Sequence, residues 1–288
     1  MTTTRERVHD LSTTAAASTL HGAAAAMRPA VIKIGGRALE APGAAAELAA
    51  AIAALERAAV LVHGGGAEVS DWCGRLGHPA RFVDGLRVTD AATLEIATAV
   101  LAGLANKRLV VALRAAGVDA VGLSALDGGI AIARPHPDAA RLGEVGEIAA
   151  IRPALLETLL AQGRVPVLAS IAGCGERLLN VNADDLAAAV TGALRAKDLI
   201  LLSDTPALIL DGQPVATLEA SRLEAALAHA EVQGGMRPKL LAARVALEAG
   251  VHRAHIAAWQ GPHTLAALLD GSGPATRLVS MAPAEVAP

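Results

Sequence analysis

The sequence predicts an α/β protein, a three-layer αβα sandwich with a mostly parallel central sheet. Three observations carry this. Short continuous apolar runs recur along the chain, alanine-rich helical stretches separate them, and glycine-rich turns close the first two runs. Apolar runs without polar alternation fit strands buried on both faces, and intervening helices fit parallel crossovers.

The elements follow in order. Residues 1–28 are rich in Ser, Thr and Ala and carry Arg5, Glu6, Arg7 and Asp10. They read as a low-complexity extension, or as the product of an upstream start with Met27 near the true beginning. The acidic residues and the lack of a strong apolar stretch argue against a targeting signal. The first strand is Ala30–Ile34, stopped by Gly35 and Gly36, and a helical stretch runs to about Arg57. The second, Ala59–Val62, is stopped by His63-Gly64-Gly65-Gly66, where another helix begins. Further strands are expected at Ala120–Leu123, Val165–Ile171, Leu199–Ser203 and His255–Ala258. The middle, about Arg81–Val88 and Gly129–Ile148, has shorter runs with Gly and Pro and reads as hairpins added to the sheet. No Pro/Gly/Ser linker cuts the chain after residue 30, so two lobes sharing one sheet are expected rather than two separate domains.

Composition narrows the function. At 288 residues, with 53% hydrophobic and 18% charged, the chain has enough apolar material for a sizeable core. A net charge of -3 gives no basic field for nucleic acid, and 1% aromatics give no platform for stacked bases. The mean hydropathy of +0.44 comes largely from alanine. The longest charge-free run, Leu11–Met27, is full of Ser, Thr and Ala, so no membrane span is expected. Cys73 and Cys174 stand far apart, which suits a reducing cytoplasm and excludes a CxxC zinc site.

Chemistry concentrates in the turns. Ligands of open α/β sheets bind beyond the carboxyl ends of the strands, where glycines let backbone N–H groups approach a phosphate. Lys33-Ile34-Gly35-Gly36 and His63–Gly66 are two such turns, and Gly234-Gly235-Met236 opens a helix carrying Lys239. No G-x-x-x-x-G-K-[ST], G-x-S-x-G or H-E-x-x-H motif occurs. Of 25 basic residues only four are lysine: Lys33, Lys107, Lys197 and Lys239. A compact ammonium fits beside a transferring phosphoryl group where a planar guanidinium does not, so Lys33 and Lys239 are the candidates. Lys107 and Lys197 read as helix surface. In Asn180-Val181-Asn182-Ala183-Asp184-Asp185 one residue caps the helix that follows, and the surplus polar groups are available to substrate. Arg87, after the turn at Gly85 and before a helix capped by Thr89 or Asp90, reads either as a surface salt bridge or as a clamp on a carboxylate. The ring of His63 reads as structural, with the neighbouring N–H groups doing the binding.

Taken together, Val31–Gly36, His63–Gly66, Asp84–Asp90, Leu101–Arg108, Ala120–Gly128, Asn180–Asp185, Leu202–Asp204 and Gly234–Lys239 resemble, in order, the motifs of the amino acid kinase family. The closest likeness is to the branch that phosphorylates an acetylated amino acid in arginine biosynthesis. The resemblance spans about residues 30–280. It implies the amino acid kinase-like fold, with an N-lobe over about 29–195 and a C-lobe over about 196–288. It also implies ATP-dependent phosphorylation of the side-chain carboxylate of N-acetyl-L-glutamate, with Mg2+ carried by ATP and no protein metal site. By position, Lys33 and Lys239 would stabilise the transition state and Asp184 would organise them. Gly35, Gly36 and Gly65 would offer N–H groups to the phosphoryl. Gly65, Gly66, Arg87 and Asn180 would bind the acceptor. Asp204, Thr205, Pro206, Ala207, Leu208 and Ile209, with Val232, Gln233 and Gly234, would line the nucleotide site. The alternatives are a kinase for acetylated aminoadipate and a non-catalytic, amino-acid-binding kinase-like module.

Two departures stand out. Ala207 replaces a glycine common in the family's nucleotide loop. The N-terminal extension has no aromatic residue, and Leu269–Thr276 lacks the pattern of arginine-inhibited members, so a homodimer indifferent to arginine is expected.

Overall fold

A computed structural model describes residues 28–35, 41 and 43–280. Residues 1–27 of the N-terminal extension and Gly36 therefore fall outside the described residues. The strands are β1 (Ala30–Ile34), β2 (Ala59–His63), β3 (Phe82–Val83), β4 (Leu86–Arg87), β5 (Ala120–Ser124), β6 (Ala131–Pro135), β7 (Val145–Ile151) and β8 (Val165–Ala169). They continue with β9 (Ile171–Cys174), β10 (Arg177–Val181), β11 (Asp198–Ser203), β12 (Leu208–Leu210), β13 (Gln213–Val215), β14 (Thr217–Glu219), β15 (Arg253–Ala258) and β16 (Thr276–Val279). The helices are α1 (Ala44–Ala53), α2 (Gly66–Arg75), α3 (Ala91–Ala115), α4 (Ala139–Leu142), α5 (Ala154–Ala161), α6 (Ala183–Ala193), α7 (Leu223–Leu227), α8 (Met236–Glu248) and α9 (Thr264–Asp270).

The main sheet has eight strands in the order β14-β16-β15-β11-β1-β2-β8-β5. It is parallel except where β15 meets β16. Strand β1 lies between β2 and β11, with Lys33 opposite Val62 on one side and Leu201 on the other. The two-residue alternation of a strand sends Ala30, Ile32 and Ile34 to one face and Val31 to the other. Ala30, Ile32 and Ile34 pack with Leu48 and Ile52 of α1, Leu109 and Leu113 of α3, and Leu265 and Leu268 of α9. Val31 packs with Leu186 and Val190 of α6 and Leu240 and Leu247 of α8. The sheet is thus covered on both sides, as the continuous apolar runs require.

The structure corrects two details of the sequence reading. The run Val165–Ile171 is not one strand: Ser170 separates β8 from β9. The hairpins of the middle do not extend the main sheet. Among the described residues, strands β3 and β4 pair only with each other, and β6, β7, β9 and β10 close a small barrel of their own. That closure places β10 beside β7, with Asn180 opposite Val145.

Among the described residues, α3 has the length and apolar character to cross a membrane. It lies against the domain, burying Thr93, Ala97, Val100, Leu101, Asn106, Leu109 and Leu113. Its middle, Ala99–Ala105, is a π-helical stretch.

Candidate active site

Lys33 occupies the next-to-last position of β1, on the face that α6 and α8 cover. Asp184 lies in the first turn of α6, and Lys239 in the first turn of α8. The three side chains meet although the lysines are separated by most of the chain. Lys33 Nζ lies 2.8 Å from Asp184 Oδ1 and Lys239 Nζ 3.2 Å from Asp184 Oδ2. All three residues are under a tenth exposed. Burial alone would push the Asp184 carboxyl up, but the two ammonium groups outweigh it and hold the carboxyl below its ordinary value. One carboxylate between two ammonium groups leaves a net positive charge in a desolvated place, which suits an arriving anion.

The local sequence explains why Asp184 is free for this role. Asn182 is the cap of α6: its Oδ1 accepts from the backbone N–H of Asp184 at 2.7 Å and of Asp185 at 3.2 Å. Asn180 and Asp184 are the surplus. Asn180, held on β10, donates from Nδ2 to Thr89 Oγ1 at 3.2 Å.

A cavity of about 230 Å³ brings together Lys33, Gly65, Gly66, Arg87, Asn180 and Asp184. The glycine turn forms one wall. A Cβ on Gly65 would lie 2.8 Å from Leu101 Cδ2, so the loop packs too closely on α3 for a larger residue. Arg87 is buried and makes no salt bridge among the described residues, which removes the surface reading. Its Nη2 donates to the Gly66 carbonyl at 2.6 Å and to Ser70 Oγ at 2.8 Å, and its guanidinium stacks 4.8 Å from the Phe82 ring centroid. Its Nη1 is buried without a partner among the described residues. A buried guanidinium with an unspent donor has the chemistry to meet an acid group. Asp90, not Thr89, caps α3 by accepting from the Thr93 N–H at 2.8 Å.

The expected nucleotide residues divide. Asp204 follows β11 and lines a separate cavity of about 530 Å³ with Glu47, Trp259 and Gln260. Leu208 and Val232 turn into the core, and their N–H groups are spent, that of Leu208 on Thr276 Oγ1 at 2.7 Å and that of Val232 on the His229 carbonyl at 3.0 Å. The β12–β13 turn is tied to the loop before Val232, Gln233 and Gly234, with the Gly212 N–H donating to Glu231 Oε1 at 3.2 Å. Gly35 sits beside β11, its N–H donating to the Leu202 carbonyl at 3.0 Å. That N–H is spent in the sheet, so Gly35 is not available as a phosphoryl donor by this group.

Sequence reasoning missed Phe82, Ser170 and Asn106. Phe82 is the chain's one phenylalanine and is 56% exposed, and that scarcity was the available signal. Ser170 lines the cavity from the break between β8 and β9. Asn106 is fully buried directly behind the glycine turn.

The profile of the amino acid kinase family matches residues 28–258, most of the chain. The chain belongs to the amino acid kinase family. This amino acid kinase is 46% identical over 229 residues to an acetylglutamate kinase of Methanopyrus kandleri, covering 76% of this chain and 90% of that protein. It is 43% identical over 236 residues to one of Chloroflexus aurantiacus, covering 81% and 93%. Among solved structures it is similar to the N-acetylglutamate synthase of Neisseria gonorrhoeae complexed with coenzyme A and N-acetyl-glutamate. The TM-score is 0.77 and the identity 28%, over 92% of this chain and 64% of that one.

Proposed function

We propose that this amino acid kinase transfers the γ-phosphoryl group of ATP to the side-chain carboxylate of N-acetyl-L-glutamate, the second step of arginine biosynthesis. One observation carries the reading: a single buried carboxylate, Asp184, holds Lys33 and Lys239 together, and it lines with Lys33 a cavity that Arg87, its Nη1 unpartnered among the described residues, also lines. The relatives of Methanopyrus kandleri and Chloroflexus aurantiacus named above are acetylglutamate kinases.

The chemistry is economical. A glutamate-type carboxylate has an ordinary pKa of about 4.3, so it is already the nucleophile at neutral pH and needs no general base. One of its oxygens forms a bond to the γ-phosphorus while the bond to the β–γ bridging oxygen breaks. The products are the acyl phosphate and ADP. The obstacle is an anion approaching a polyanion, and Lys33 and Lys239 offset that repulsion as charge spreads over the phosphoryl oxygens. Arg87 Nη1 and Asn180 hold the acceptor's α-carboxylate and amide, while Gly65 and Gly66 form the wall against which it lies. The nucleotide lies along Asp204–Ile209 and Val232–Gly234. Mg2+ would be held by the phosphates of ATP and would offset their charge, while the Asp184 carboxylate is engaged by two ammonium groups. The protein works in the cytoplasm as a homodimer that ignores arginine.

The test is a substrate panel of acetylglutamate, acetylated aminoadipate, aspartate and carbamate with Mg-ATP, read by hydroxylamine trapping of the acyl phosphate. Turnover of acetylglutamate well above the others is expected. Ligand binding without ADP release would overturn the reading. Light scattering with and without arginine tests the oligomer.

A further inference from the structure

His63 and Asn106 are buried, polar and unused by the proposed chemistry. His63 ends β2 immediately before the glycine turn, with 2% exposure, and Asn106 is at 0%. Asn106 Nδ2 lies 2.9 Å from the Val167 carbonyl, 3.2 Å from the Leu123 carbonyl and 3.1 Å from His63 Nε2. Its Oδ1 accepts from Lys107 Nζ at 3.0 Å. Carbonyls only accept and an ammonium only donates, so the amide has one orientation: NH2 toward the strands, oxygen toward Lys107. That orientation dictates the histidine. The NH2 has two hydrogens to share among these three acceptors, and an N–H at His63 Nε2 would set donor against donor, so Nε2 is the bare nitrogen and Nδ1 carries the hydrogen. Nδ1 lies 2.9 Å from the Gly64 carbonyl and donates to it. Burial lowers the imidazole below its ordinary pKa and Lys107 adds to this, which keeps the ring neutral.

The chain of bonds starts at a backbone irregularity. Asn106 is the first residue after the π-helical stretch Ala99–Ala105. A π-turn changes the angular register of everything that follows it, and such turns are frequent at functional sites. The opposite strand is matched to this: a Cβ at Gly122 would lie 2.2 Å from Asn106 Oδ1.

We propose that Asn106 is a positioning residue for acceptor binding: it fixes His63 as the Nδ1–H tautomer, and that hydrogen pins the Gly64 carbonyl and so sets the peptide planes of Gly65 and Gly66 in the acceptor cavity. The proposal rests on the acceptor site assigned above. Freed of this bond, the Gly64–Gly65 peptide can rotate, and the wall against which Arg87 and Asn180 hold the acceptor shifts. The residues proposed above for the nucleotide, Asp204–Ile209 and Val232–Gly234, lie on other elements.

Two measurements test this on the intact protein. Long-range proton–nitrogen correlation spectra, with His63 assigned by its loss in His63→Asn, show Nδ1 protonated and Nε2 bare at neutral pH. A protonated Nε2 overturns the proposal. Steady-state kinetics then separate positioning from packing. Asn106→Ala and His63→Leu raise the KM for acetylglutamate about tenfold or more and leave the KM for ATP within about twofold. His63→Asn, whose amide can occupy the Nδ1 position and donate to Gly64, stays within about threefold of the parent. An Asn106→Ala protein that folds with an unchanged KM for acetylglutamate overturns the proposal. If that variant does not fold, the His63→Leu and His63→Asn pair decides, and equal KM values in the two overturn it. A parent protein inert toward acetylglutamate refutes the assigned reaction instead, and the tautomer measurement still decides the hydrogen-bond chain.

Discussion

Lys33 and Lys239 illustrate how much one side chain's chemistry can disclose. In a chain that uses arginine almost everywhere, two of four lysines converge on Asp184. A lysine presents a compact charge, and the cavity of about 230 Å³ leaves little room for a wider guanidinium beside a phosphoryl group. Removing one preorganised donor from such a site costs about 10²–10³ in rate. Steady-state kinetics of Lys33→Ala and Lys239→Ala are therefore expected to show kcat falling by about that factor, with the KM for ATP changing far less. Lys33→Arg restores the charge but not the fit and recovers little of the loss. Wild-type turnover in both alanine variants would remove their assigned roles. These residues were legible because their type and spacing signal chemistry. The stacking of Phe82 on Arg87 and the burial of Asn106 were not. Whether a polar residue points inward depends on the helix phase, and the π-turn at Ala99–Ala105 alters that phase without any mark in the sequence.

Elements were legible where local pattern decides them. Continuous apolar runs mark β1, β2, β5, β11 and β15 because a strand covered on both faces has no polar side to show. The small barrel of β6, β7, β9 and β10 was illegible as such, since its closure depends on which distant edges pair and on an irregularity between Ile132 and Ala133. The contact between β5 and α3 gives the sharpest test at this scale. Gly122 lies in β5 without positive φ, so alanine there would ordinarily be neutral or mildly favourable. Its Cβ, however, would meet Asn106 Oδ1 at 2.2 Å, Val110 Cγ2 at 2.8 Å and Lys107 Nζ at 2.9 Å. Lys107 can swing away, but Asn106 is locked by two carbonyls and cannot. Overpacking of this kind costs about 1–3 kcal/mol. Urea unfolding of Gly122→Ala should show that loss, and a stability equal to the parent's would mean that α3 shifts freely on the sheet.

At the scale of the whole molecule, the parallel sheet has two ends with different tasks. The glycine turn, Lys33 and Asp204 gather beyond or near the carboxyl ends of the strands. The opposite end carries a second buried charge cluster that the sequence did not reveal, because its members come from three separate strands or their approaches. Asp198, the first residue of β11 and fully buried, accepts from Arg57 Nη1 at 2.5 Å and from Arg253 Nε at 2.7 Å. His255 Nε2 lies 3.5 Å from the same carboxylate. Arg57 precedes β2, while Arg253 and His255 belong to β15, so the cluster ties the two halves of the sheet across β11 and β1. Burial would raise the Asp198 carboxyl, but the neighbouring His255, Arg253 and Arg57 overcome it and hold the group far below its ordinary 3.8. A carboxyl depressed by folding adds stability that is complete above its unfolded pKa and is lost as pH falls toward its folded value. The protein is therefore expected to lose stability progressively as pH drops below about 4, the ordinary aspartate value. Asp198→Asn should cost about 3–5 kcal/mol at neutral pH, because it strands two arginines beside a neutral amide. The same variant should show a flatter decline in acid than the parent, with the remaining slope owed in part to Asp184. Urea unfolding across a pH series measures both effects. A variant whose acid decline parallels that of the parent would place the proton uptake elsewhere and leave the cluster as packing alone.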